Sequence, residues 1–149
     1  MPTTFRSDVV AGVLAVLTAQ KTATPTQLRG VYSSRPGSFP ETPCAYIAGR
    51  DEVITYTAGT RARTFVGLQV VLVDAMPDAT EAGDRLDDLV DLLVDRFSAA
   101  YAQVAGGGSI LQLSTISDTE VELSGPSGAV IYRGAILGFG DTFTREGRT

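Results

Sequence analysis

Apolar residues near the N-terminus recur at helical spacing. Val9, Val10, Val13, Leu14, Val16 and Leu17 share one wide face, which predicts a helix from about Ser7 to Gln20 with Ser7 as N-cap and Asp8 in the first turn. Leu28 to Tyr32 and Cys44 to Ala48 read as short strands. Glu52 to Thr57 reads as another, with Val53 and Thr55 on one side and Ile54 and Tyr56 on the other, followed by a turn at Ala58-Gly59. Arg61 to Val73 carries the longest alternation, with Val66, Leu68, Val70 and Leu72 on one face and Arg61, Arg63 and Gln69 on the other. It predicts one long strand whose basic start projects beyond the sheet as a hairpin arm.

The clearest helical signal follows. Pro77 and Asp78 mark a start, and Ala82, Leu86, Leu89, Val90, Leu93 and Phe97 line one side through to about Ala102. Fully burying the five larger of these side chains stabilises the fold by on the order of 10 kcal/mol before entropy is subtracted. The opposite side carries Asp84, Asp87, Asp88, Asp91 and Asp95 and must be solvated or face cations. Gly106 to Gly108 ends the helix. Ile110 to Leu113, Thr119 to Leu123 and Ala129 to Leu137 then read as strands, the last two joined by a turn at residues 125–128. The polar tail from about Asp141 is expected to be loose. This order predicts a single α+β domain over residues 1–149, a mostly antiparallel sheet with two helices packed on one face.

Between the early strands lies Arg35 to Ile47, RPGSFPETPCAYI. Three prolines fix their own φ and push the preceding residues toward extended geometry, so Gly37 to Thr42 is expected to be a rigid loop that presents surface.

Composition narrows the chemistry. A chain of 149 residues suits one domain, and such a domain buries roughly 68 to 70% of its unfolded surface. No apolar run reaches the roughly 18 residues of a membrane span. The N-terminus lacks a signal-peptide pattern, so a soluble protein of a cytoplasm is expected. The single cysteine, Cys44, cannot form an internal disulfide and reads as a small buried hydrophobe. Histidine is absent altogether, which removes the usual general base and the commonest metal ligand and excludes zinc sites and Ser-His-Asp triads. A formal charge of −5 argues against tight contact with nucleic-acid phosphates. Eleven of the 12 basic residues are arginine, whose planar fork suits protein interfaces.

Local patterns with catalytic echoes fail on context. Asp87-Asp88-Leu89-Val90-Asp91 has the spacing of an aspartate-rich magnesium motif, but that chemistry needs a second such helix facing it. Asp51 and Glu52 are adjacent on a strand and point to opposite faces, unlike a cooperating acid-base pair. Gly106 to Ser109 lacks the Gly-Lys-Ser/Thr of a phosphate-binding loop. No cofactor is expected.

The run Pro36-Gly37-Ser38-Phe39-Pro40-Glu41-Thr42-Pro43 leads into Cys44-Ala45-Tyr46-Ile47, then a charged hairpin, a long strand and the Asp/Leu helix. That order resembles the tail terminator proteins of long-tailed bacteriophages, over roughly Ser7 to Phe143. The resemblance implies a non-enzymatic virion protein, a hexameric ring on the head-proximal end of the tail that caps the tube and stops its growth. It also implies assembly in the host cytoplasm and no membrane association. The implied partners are further copies of the chain, the major tail tube protein and a neck or head-completion protein, with genomic DNA passing through the lumen without specific binding. Interface residues are expected among Phe39, Arg50, Asp51, Glu52, Arg61, Arg63, Asp84 and Asp88. A neck or head-completion adaptor shares the ring logic with different neighbours. A small-ligand binding module is the alternative of another class, and would need a pocket with convergent polar groups.

Overall fold

A computed structural model describes residues 5–21, 28–39, 41–74, 79–99, 113–125, 128–140 and 144–148. The chain runs α1 (Phe5–Thr18), β1 (Gly30–Tyr32), β2 (Cys44–Ala48), β3 (Glu52–Thr57), β4 (Thr60–Phe65), β5 (Leu68–Asp74), α2 (Ala79–Ala99), β6 (Thr115–Gly125), β7 (Gly128–Gly140) and β8 (Thr144–Arg148). The strands form two sheets, one of five strands in the order β1-β2-β5-β7-β6 and one of three in the order β3-β4-β8. Among the described residues only β1 and β2 pair in parallel; the other pairings are antiparallel. The fold is α+β, as the pattern predicts.

Both helices lie against the same face of the larger sheet. Val9, Val13 and Leu17 of α1 and Leu86, Leu89, Leu93 and Phe97 of α2 share one core with Ala45, Ile47, Val70, Leu72, Leu137 and Phe139. Phe97 meets Phe139 edge to face, with ring centroids 5.1 Å apart. The expected acidic side of α2 is solvated at Asp87, Asp88, Asp91 and Asp95. Pro77, Asp78, the triple glycine and residues 110–112 of the expected strand lie outside the described residues. Leu113 is described and belongs to no strand.

The opposite face of the sheet is also buried, by the proline-rich loop. Parallel neighbours cannot be joined by a tight hairpin, so the connection between β1 and β2, described over residues 33–39 and 41–43, passes over the sheet. That crossing seats Phe39 in a second core with Cys44, Tyr46, Val71, Val73 and Val121. Phe39 stacks on Tyr46 at 6.2 Å and meets Tyr132 edge to face at 5.0 Å. Arg35 Nη2 donates to the Glu122 carbonyl at 2.6 Å, tying the loop to the edge strand. The loop presents surface at Gly37, Ser38 and Glu41, as expected, while Phe39 turns inward to close a core, and the run Leu68–Asp74 is buried on both sides save for Gln69.

Two further expectations are corrected. The single strand expected over Arg61 to Val73 is two strands in different sheets, interrupted at Val66-Gly67. Gly67 sits at φ 76° and Gly49, on the neighbouring crossing between the sheets, at φ 69°. A Cβ on Gly49 would collide with the Gly67 carbonyl, so the two crossings lie back to back where only glycine fits. The Val66 amide donates to the Asp51 carbonyl at 2.9 Å and pins the crossing. The tail expected to be loose from about 141 supplies β8, which pairs with β4 from Thr60↔Arg148 to Thr64↔Thr144. Its polar sequence gives no apolar alternation to announce a strand, because an edge strand on an exposed sheet need not bury a face.

Candidate functional site

The smaller sheet is an arm built from a hairpin. Val53 to Thr57 is β-branched or aromatic throughout, which suits a pleated strand, and Gly59 at φ 76° closes the turn to β4. Cross-strand register puts Ile54 opposite Arg63 and Tyr56 opposite Arg61 on one face, and Val53 opposite Thr64 on the other. Val53 is 49% exposed, Ile54 48% and Tyr56 67%. Neighbouring strand residues point to opposite faces, so the arm offers large apolar side chains on both sides.

The root of the arm is bolted to the body. Arg63 donates from Nε and Nη2 to the two carboxylate oxygens of Glu52 at 2.9 and 3.0 Å. Arg6 of α1 places its Nε 3.4 Å from the same carboxylate and donates from Nη2 to the Arg50 carbonyl at 3.0 Å. Glu52 is largely buried between these two arginines, a bidentate geometry that orients as well as attracts. Phe65, across from Glu52, is fully buried in the main core and anchors the other strand of the hairpin.

The eight sequence candidates divide accordingly. Phe39 is 7% exposed in the single chain and fills the second core. Glu52 and Arg63 hold the arm to the body. Arg50 is half-buried, and its Nη2 has no hydrogen-bond partner among the described residues. Asp51 has an exposed side chain, and its carbonyl fixes the crossing. Arg61 is exposed at the arm's outer half, with no ion pair among the described residues. Asp88 lies on the solvated side of α2, and the side chain of Asp84 lies outside the described residues.

Sequence reasoning passed over the exposed apolar residues themselves. Val53, Ile54, Tyr56, Ile116 and Ile131 are the exposed large hydrophobics of the described chain. The signal was legible in part: consecutive Val53 and Ile54 in a strand between charged ends need cover on two faces, and the hairpin has no second apolar layer of its own.

Elsewhere, burial and the carboxylates of Asp74 and Glu41 push the Cys44 thiol up to about 12, which keeps it protonated. Among the described residues no three carboxylate or thiol side chains converge as a cation site. Among the described residues no helix is long and apolar enough to cross a membrane. No protein-family model matches the sequence, and no curated protein aligns with it.

Proposed function

We propose that this chain is a tail terminator of a long-tailed bacteriophage. It forms a ring, hexameric by family resemblance, that caps the tail tube, halts its polymerisation and offers the joining surface for the neck. The observation that carries the reading is the arm: a rigidly rooted three-stranded sheet with Val53, Ile54 and Tyr56 exposed on its two faces. Exposed apolar side chains of this kind, with Ile54 and Tyr56 sharing one face, mark a contact with another protein, and an arm held by Glu52, Arg6 and Arg63 delivers them in one orientation. The order of elements, the resemblance to the family and the charge of −5 support the same role. DNA then traverses the ring without adhering to it.

The experiment removes the protein during infection and measures tail length by electron microscopy. Tails of irregular, excessive length without joined heads are expected, and wild-type protein supplied in trans restores both length and joining. Tails of normal length that lack heads would overturn the terminator reading and favour a neck or head-completion adaptor. The Leu89→Asp variant, which buries an unpaired charge in the main core, unfolds and behaves as a deletion.

A further inference from the structure

We infer that the arm docks onto the outer strand β6 of a second copy of this chain. Strand β6 is one of the two outer strands of the five-stranded sheet, unpaired on its far side among the described residues, and it is long, running from Thr115 to Gly125. Its register with β7 places Ile116 opposite Leu137, Asp118 opposite Ala135, Glu120 opposite Arg133 and Glu122 opposite Ile131. These residues share one face of the sheet, the face that carries the helices further in. At the edge that face is uncovered: Asp118, Glu120 and Glu122 are exposed, and Ile116 and Ile131 are about half exposed. The arm presents the counterpart. Ile54, Tyr56 and Arg61 share one face there, and Arg61 has no ion pair among the described residues.

Both surfaces are pleated, so their side chains repeat at about 7 Å along each strand, twice the rise per residue. Apolar residues can therefore meet apolar ones while Arg61 meets the carboxylate row. The acidic side of α2 is the rival acceptor. Its exposed residues, Asp87, Asp88, Asp91 and Asp95, offer carboxylates without exposed apolar neighbours such as Ile116 of β6 and Ile131 of β7. Charge alone would leave Ile54 and Tyr56 in water, and β6 satisfies both halves of the arm.

The contact rests on the ring reading and gives it a mechanism. Arm and β6 are unlike surfaces on one chain, so their pairing is head to tail. Such contacts continue from copy to copy and form a ring where the rotation closes, unlike a two-fold contact, which stops at a dimer.

The test is light scattering coupled to size exclusion on the full chain up to millimolar concentration, with thermal melts to confirm folding. Wild-type protein self-associates. Arg61→Glu and the double variant Glu120→Arg/Glu122→Arg each weaken association by roughly tenfold or more without shifting the melt. Combining all three substitutions in one chain restores it, because the charges are exchanged across the same contact. Asp88→Arg/Asp91→Arg leaves association unchanged. Association untouched by the arm and β6 variants, or lost in the α2 variant instead, overturns the docking while leaving the ring reading to stand. A wild-type chain that stays monomeric at millimolar concentration also overturns the docking, and tail length in infected cells then decides the ring reading separately.

Discussion

Asp74 is fully buried at the end of β5, and Arg85 of α2 grips it through Nε and Nη2 at 2.6 and 2.7 Å. The pair locks the second helix to the sheet at the end where the chain leaves it. Replacing Arg85 with Met removes one partner of a largely buried pair and should cost about 3 kcal/mol, the low end for such losses because Arg85 keeps 30% of its side-chain exposure. Denaturant melts check this. Beside it, Cys44 makes a prediction with a sign. Its pKa is raised by burial from the ordinary 9.0 to about 12, so the folded state favours the neutral thiol. That contribution to stability is complete below pH 9 and drains away as pH rises toward 12. The thiol should be inert to alkylating reagents at pH 8 until the chain unfolds, and Cys44→Ala should flatten the alkaline loss of stability measured by denaturant titration. Fast labelling of the native protein would contradict the buried position.

At the scale of elements, the crossings at Gly49 and Gly67 decide where one sheet ends and the arm begins. Gly49 and Gly59 have similar positive φ values, 69° and 76°, but different surroundings. Around Gly59 a Cβ would meet only open space, whereas at Gly49 it would strike the Gly67 carbonyl. Gly59→Ala should therefore cost only the conformational penalty of about 1–2 kcal/mol. Gly49→Ala adds a backbone collision and should cost more, about 3 kcal/mol or above. Thermal unfolding of the two variants side by side gives the comparison, and equal losses would mean that the crossings are not packed against each other. Arg61 and Arg63 play different parts in the arm. Reversing Arg63 breaks the Glu52 clamp and places like charges together, so Arg61 is the variant that separates docking from folding.

For the whole molecule the governing quantity is charge. Six copies at −5 carry a net charge of −30 (6 × 5), so a ring of them should bind duplex DNA negligibly at physiological salt. A gel-shift assay on the assembled species checks this. Tight binding that weakens steeply with salt would contradict a passive lumen and point to a nucleic-acid-binding role. Asp118, Glu120 and Glu122 are exposed on the outer strand, with Arg133 opposite Glu120, and Arg61 is exposed on the arm, an arrangement that favours ordered contacts between copies over indiscriminate association.

The sequence by itself determined the elements whose cause is local. The faces of α1 and α2, the strands Cys44–Ala48 and Glu52–Thr57 and the turn at Ala58-Gly59 all follow from side-chain periodicity and turn chemistry, and the structure places them as read. It also determined the charge and the α+β class. Tertiary structure alone decided three things. Phe39 went inward because a parallel β1–β2 pair sends its connection across the sheet, and that pairing is not written in either strand. The run from Arg61 to Val73 broke because Gly67 meets Gly49, a contact between residues far apart in sequence. The C-terminal segment became β8 because β4 offers it an open edge, so its backbone hydrogen bonds, and not its side chains, set its conformation. Which apolar residues stay exposed is decided last, since exposure is what remains after every other face has found its cover.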